Sequence, residues 1–244
     1  MALADSQSTR SRILDAAEQL FARHGFAATS LRTITAAADA NLAAVNYHFG
    51  SKERLIAAVF ARRFEPLNQE RLRRLDGLER AAGDAPVELE RIAAAFVQPA
   101  ASLARSSNGG VEVLMQLFGR LHTEPNEQIR ELIFEQFGEV LRRYMAAFGR
   151  ALPELETDEI FCRLHFAVGA LSHTLLDPHR LRFASADAPA QESLERVIER
   201  LVAFVVAGFR APATGCNGDL GDPSRPESPV TESPVTESPV TESR

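Results

Sequence analysis

The sequence has no tryptophan, only two tyrosines, and a single lysine, Lys52, among its 27 basic residues. The abundance of arginine and alanine is what a GC-rich coding bias gives. Its two cysteines, Cys162 and Cys216, lie 54 residues apart with no CxxC pair, which excludes a disulfide scaffold and a thiolate zinc site. The longest apolar run, Leu201 to Phe209, is nine residues including Gly208, too short to span a bilayer. The opening MALADSQSTR has no apolar signal region, so a cytoplasmic protein that makes no membrane contact is expected. Sustained two-residue alternation and β-branched clusters are missing, which argues against sheet. No GxSxG, HExxH or glycine-rich phosphate loop occurs, so no catalytic residue, metal or cofactor is assigned, and the chain is read as a non-enzyme.

What is present supports a large helical core. The 244 residues are 45% hydrophobic and 25% charged, with a net charge of −6. That balance rules out coating nucleic acid by bulk charge. The charge is uneven, however: residues 1–64 carry eight bases and five acids, and residues 213–244 two bases and six acids. A basic head on an acidic body is the footprint of a local anion-binding surface. From Glu227 the chain repeats ESPVT, with Pro229, Pro234 and Pro239 five residues apart. Such a segment has too little apolar surface to offset its ordering entropy. Residues 212–244 are therefore expected to form a disordered tail, and residues 1–8 a flexible lead-in.

Between them the apolar residues recur at helical spacing. Ile13, Leu14, Ala17, Leu20 and Phe21 share one face of a first helix, which Gly25 stops with Phe26 packing back. Ser30 caps a short helix over Leu31–Ala38, and Asn41 caps another over Leu42–His48, ended by Gly50. Ser51 caps a fourth helix whose apolar face is Leu55, Ile56, Val59 and Phe60, and which Pro66 is expected to kink or end. Longer helices are predicted over Val87–Arg105, bent or split at Pro99, and from Gly109-Gly110 through about Leu121. Three more are predicted over Gln128–Phe148, Asp158–Leu175 and Gln191–Phe209. The last two are apolar on a second stripe (His165, Phe166, Ala203, Phe204, Val206), more than a surface helix needs. A second copy of the chain is the simplest cover, which predicts a homodimer.

The segment Ser30–Phe49, SLRTITAAADANLAAVNYHF, carries chemistry. Two short helices meet at a turn near Asp39-Ala40-Asn41, and the many alanines let their axes approach. This is the helix-turn-helix pattern, whose second helix enters the major groove of double-stranded DNA. Ala43 and Ala44 leave room there and suit a thymine methyl, while Asn46 suits a base edge. Tyr47 and His48 reach toward phosphates, Lys52 adds a charge at a helix start, and Ser30, Arg32 and Thr33 hold the opposite backbone. By spacing alone an αα-hairpin with an asparagine cap fits equally.

The same residues resemble the TetR-type transcriptional regulators. FAATSLRTITAAADANLAAVNYHFGSKERLIAAVF is similar to that family's N-terminal domain, STRSRILDAAEQLFARHGF to its first helix, and YHF-G-SKE-L is its most specific mark. NLAAVNYHFGSK is closer to the PsrA-like branch than to the tetracycline repressor. LMQLFGRLHTEP, VLRRYMAAF and FCRLHFAVGAL resemble the PsrA-type ligand domain more loosely. The resemblance implies an all-α fold. A three-helix DNA-binding domain would occupy about residues 9–65, and a helical effector and dimerisation domain residues 66–211. Family DNA contacts carried over by motif position fall on Ser30, Arg32, Thr33, Asn41, Ala43, Ala44, Asn46, Tyr47, His48 and Lys52. The implied function is a repressor that releases operator DNA on binding an apolar effector, a fatty acid or acyl-CoA by analogy. The alternative is an acyl-ligand-binding protein without operator function.

Candidate pocket residues are Phe96, Leu114, Met115, Phe118, Leu121, Phe134, Phe137 and Phe166, which suit an adaptable apolar lining and an ordinary core alike. Arg120, His122, Arg142 and Arg143 are the candidates for an anionic head group. Candidate dimer contacts are Phe161, Leu164, His165, Val168, Leu171, Leu201, Phe204 and Val205. Cys162 and His165 share a helical face, and His173, Asp177 and His179 follow; packing and capping are their expected roles rather than metal binding.

Overall fold

The computed structural model describes residues 2–101, 113, 116–117, 119–121, 124–176 and 194–213. All elements among the described residues are helical, in agreement with the all-α expectation. Residues up to Ala211 form one compact unit. The chain from Pro212 is a separate unit, of which 214–244, with Cys216 and the ESPVT repeats, lies outside the described residues.

The head is built from α1 (Ala2–His24), α2 (Leu31–Ala37), α3 (Leu42–Phe49) and the start of α4 (Lys52–Ala82). Its core is Ile13, Phe21, Ile34, Val45, Leu55, Ile56 and Phe60, each with no exposed surface. Phe26 returns onto the end of α1, edge-on to Phe21 at 5.5 Å. Gly25 and Gly50 sit at φ +81° and +79°, conformations that side-chain-bearing residues avoid, which is why these two helices stop there. Helix α1 extends through residues 2–8, where a flexible lead-in is expected; no glycine or proline interrupts that stretch.

Pro66 does not end α4, which spans 31 residues in all, about 46 Å at the usual helical rise. The turn before the proline is clamped to α1: Arg62 pairs with Asp15 and Glu18, and Arg63 with Glu18. The turn after it is held by Asn68, whose amide donates to the Gln136 carbonyl at 3.2 Å. Tertiary contacts thus offset the one backbone hydrogen bond the ring removes. The helix runs without interruption from the head into the body.

The body adds α5 (Leu89–Val97), α6 (Glu127–Phe134), a 3₁₀ turn (Glu135–Phe137), α7 (Gly138–Ala151), α8 (Thr157–Leu176) and α9 (Leu194–Arg210). Helix α5 stops short of Pro99. The single helix predicted over Gln128–Phe148 is broken at Glu135–Phe137. There the Gln136 side-chain amide donates to the Leu132 carbonyl at 3.2 Å, taking an acceptor that helix continuation uses. The body core centres on Tyr144, Phe148 and Phe209, all fully buried, with the last two rings stacked 4.1 Å apart. Burying such a side chain contributes about 1.5–3 kcal/mol. The Tyr144 hydroxyl donates to the Arg71 carbonyl at 2.9 Å, so its polar tip is satisfied.

Candidate functional site

Every candidate residue of the helix-turn-helix lies at or near the surface of the head. On α3, Val45 and Phe49 turn into the core, which leaves Ala43, Asn46 and Tyr47 exposed at i, i+3 and i+4. Tyr47 is 82% exposed, too much for a residue with a packing role. Its ring meets that of the half-buried His48 edge-on at 5.0 Å. Ala44 and Lys52 are also half-buried.

Local chemistry fixes this surface. Ser30 Oγ accepts from Thr33 N at 3.1 Å and lies 2.8 Å from Thr33 Oγ1. Asn41 Oδ1 accepts from Ala44 N at 2.8 Å, and Ser51 Oγ from Arg54 N at 3.2 Å. Three helix starts in one head therefore carry a side-chain cap, each worth about 1 kcal/mol. Ser30 and Asn41 thus have a structural duty, which leaves Asn41 its amide N–H donors. The turn between α2 and α3 holds Asp39 at φ +47°. Arg12 of α1 braces it, Nε donating to Ala38 O and Nη2 to Asp39 O, each at 3.0 Å.

The head's free positive charge concentrates beside this surface. Arg62 and Arg63 are consumed by Glu18 and Asp15. Arg32, Lys52 and Arg54 form no ion pair among the described residues. Lys52 Nζ donates to Ala27 O at 3.5 Å, from the first turn of α4. Spacing did not single out Arg10, whose guanidinium stands 5.4 Å over the Phe49 ring at the end of α3. A surface of exposed amide, hydroxyl and cationic groups around a small-residue helix can enter a groove and grip phosphates on both sides.

The body contains an apolar cavity of about 240 Å³. It is walled by Phe64, Leu67 and Arg71 of α4, Phe96 of α5, Phe134, Phe137, Val140 and Leu141 around the 3₁₀ turn, and one stripe of α8. Of the predicted pocket residues, Phe96, Phe134 and Phe137 line it. Leu121 is buried but away from its wall, and Phe166 lies on the exposed side of α8. The stripe of α8 that does line it is Phe161, Leu164, His165, Val168, Leu171, Ser172 and Leu175, a 3-4 spacing that Phe166 falls between. Leu114, Met115 and Phe118 lie outside the described residues, as do His122, Asp177 and His179.

Two sets of sequence expectations shift with this geometry. Leu164, Leu171, Leu201 and Val205, predicted as dimer contacts, are buried within the protomer itself. Helices α8 and α9 turn these residues toward α5, α7 and each other. The large exposed apolar residues on these helices are Phe161, Phe166, Val168 and Phe204. The head-group candidates Arg142 and Arg143 are paired away from the cavity, with Glu139 and with Asp76 and Glu79. Arg120 donates to Arg23 O at 3.2 Å, a link from the body to the end of α1. The arginine on the cavity wall is Arg71, which periodicity could not reveal because it sits on an otherwise polar stretch of α4.

Among the described residues no group of three or more His, Cys, Asp or Glu is clustered to hold a metal, and Cys162 is exposed. No helix of the described residues is long and apolar enough to cross a membrane.

Comparison with known proteins agrees with this two-part architecture. The family model described as bacterial regulatory proteins, tetR family, matches residues 13–59. The model described as tetracyclin repressor-like, C-terminal domain, matches residues 94–208. The comparison with curated proteins found no match. Among solved structures, the chain resembles SmeT in its complex with triclosan, at 24% identity and a TM-score of 0.57, covering 84% of this chain and 96% of that one. It resembles GusR of Salmonella enterica at 22% identity and a TM-score of 0.54, covering 83% and 96%. It resembles FadR of Bacillus subtilis, in complex with stearoyl-CoA, at 14% identity and a TM-score of 0.55, covering 81% and 98%. These structural likenesses carry the fold, and the two family models cover the head and most of the body. The chain belongs to the TetR family of transcriptional regulators.

Proposed function

We propose that the protein is a homodimeric, effector-responsive repressor that acts in the cytoplasm and reads a near-palindromic operator. The observation that carries this is the pairing of an outward-facing α3 surface with an apolar cavity on the same long helix α4. Asn46 reads a base edge; Ala43 and Ala44 let the helix seat in the groove. Tyr47, His48 and Lys52 grip one phosphate backbone, and Ser30, Arg32, Thr33 and the Asn41 amide the other. The exposed rings of Phe166 and Phe204 supply the apolar contact between two copies.

The effector is a small apolar compound, with acyl ligands as the leading class. The lining supports that chemistry, and the FadR relative is a structure with stearoyl-CoA. Its binding shifts the two heads only if it has different affinity for the gripping and released arrangements. The test is fluorescence anisotropy with DNA from upstream of its own gene, with and without a fatty-acid and acyl-CoA panel. Tight binding that one compound releases supports the whole reading. Acyl-ligand binding by a protein whose DNA affinity is untouched by Asn46→Ala with Lys52→Ala favours the alternative, an acyl carrier whose head reads no operator.

A further inference from the structure

We propose that Arg71 anchors an anionic head group, and that the cavity takes a small apolar monocarboxylate bound with its carboxylate inward. The proposal rests on the reading of this cavity as an effector site and narrows the effector's chemistry.

Arg71 departs from how this protein treats its other sheltered arginines. Arg62 and Arg63 meet Glu18, Arg143 meets Asp76 and Glu79, and Arg163 meets Glu159 and the Phe209 and Ala211 carbonyls. Arg71 is 5% exposed and meets no carboxylate among the described residues. Its Nε donates to Phe96 O at 2.9 Å, and its guanidinium stands 4.1 Å over the Phe96 ring. A guanidinium carries five N–H donors, so the four on its terminal nitrogens have no acceptor among the described residues. Among the described residues the fully enclosed side-chain atoms without a partner are Asn68 Oδ1 and Gln136 Oε1, so those nitrogens are not sealed in the core. Arg71 itself lines the cavity. Burial pulls the Arg71 pKa down to about 10, so it remains a cation at neutral pH.

The rest of the wall says what the anion is attached to. Its described polar residues are Arg71, His165 and Ser172, and none is acidic. Exposed Phe134 and Phe161 give the cavity an apolar rim, while Arg71, Phe96 and Leu164 are buried. One deep cation behind an apolar entrance matches one negative charge ahead of an apolar body. A carboxylate also fits the guanidinium fork with two parallel hydrogen bonds. A dianionic phosphate leaves a charge unmatched. An acyl-CoA inserted tail-first leaves Arg71 unpaired, with all of its own charge outside. The cavity's 240 Å³, at roughly 30 Å³ per water-sized group, holds on the order of eight heavy atoms.

Calorimetric titration of the full-length protein, free of DNA, with octanoate, octan-1-ol and octanoyl-CoA tests this. Octanoate is expected to bind about tenfold or more tighter than either of the others. Arg71→Met removes the charge at similar length and is expected to abolish that preference while octan-1-ol binds unchanged or tighter, with helical content retained. Arg71→Lys keeps the charge without the fork and is expected to keep the preference at several-fold lower affinity. That variant serves if the methionine substitution fails to fold. Equal affinity for octanoate and octan-1-ol, a preference that survives in Arg71→Met, or tighter octanoyl-CoA binding overturns the proposal and leaves the cavity reading standing. Failure of all three probes to bind the wild type overturns both.

Discussion

Gln136 Nε2 donates to the Ala57 carbonyl at 2.9 Å, joining the cavity wall to the head's own stretch of α4. Gln136 stands between Phe134 and Phe137, both on the cavity. Its side chain also holds the Leu132 carbonyl, and its backbone carbonyl accepts from Asn68. The same joint leaves Gln136 Oε1 and Asn68 Oδ1 buried without partners. A joint short of two acceptor bonds is less stable than its surroundings, and a displaced phenylalanine on either side reaches it directly.

Removing that bridge should therefore uncouple the two sites without destroying either. Gln136→Met keeps the volume and loses the bond to Ala57. Effector-free operator affinity is expected to change less than about threefold, while the effector's influence on it falls by about 1 kcal/mol or more. Paired anisotropy titrations with and without effector measure this. An undiminished effector response in the variant contradicts the role given to Gln136.

Glu18 holds the head together from a site with 1% exposure, facing Arg62 and Arg63 across from α1 to α4. Glu18→Gln removes one partner and leaves two part-buried cations facing a neutral amide. The expected cost is about 2–3 kcal/mol, below the usual figure for a fully buried pair because both arginines retain some solvent. Urea denaturation followed by circular dichroism reads it directly.

The turn of the helix-turn-helix is strained at one residue. Asp39 has φ +47°, a region aspartate tolerates and β-branched residues do not. Asp39→Gly is expected to be neutral or stabilising by up to about 1 kcal/mol, and Asp39→Val to destabilise by about 1–2 kcal/mol. Operator affinity should fall in the valine variant alone, since Arg12 braces this turn in the orientation that presents α3.

Acid should weaken the middle of α4. Hydrogen bonds from Arg73, then Arg74, hold the Glu70 carboxyl down at about 2, and Glu53 at the helix start is also lowered, by its own backbone N–H and by Ser51. A carboxylate depressed in the folded state stabilises above its unfolded value near 4.5, and that stability is lost as pH falls toward the folded value. The loss should fall between about pH 4.5 and 2 and be small, because Glu70 is solvent-accessible. Glu70→Gln should flatten the stability curve in that window, lowering stability slightly above pH 5 and leaving it unchanged near pH 2.

What was legible in the sequence follows the range of the forces involved. Caps act over three residues, so Ser30, Asn41, Ser51, Gly25 and Gly50 mark the head's helices at almost the observed positions. Pro66 misleads because the contacts that carry the helix past it come from Glu18 and Gln136, 48 and 70 residues away. The break at Glu135–Phe137 is invisible to periodicity because a side-chain amide makes it. Leu164 and Leu201 read as dimer contacts, yet the protomer's own packing consumes them. Arg71 is hidden for the opposite reason: an arginine in a charged stretch reads as solvated until the fold closes around it.

The central claim is that exposed α3 residues and the cavity belong to one DNA-bound, effector-released machine. The most direct measurement is anisotropy of the wild type and of Asn46→Ala with Lys52→Ala on DNA from upstream of its own gene, at fixed salt, with and without octanoate. The account predicts tight binding by the wild type, loss of at least about 100-fold in the double variant, given roughly 1–3 kcal/mol for each base or phosphate contact, and release of the wild type by octanoate. Equal affinity of the two proteins for that DNA, with octanoate bound in the cavity and no change in either, would contradict it.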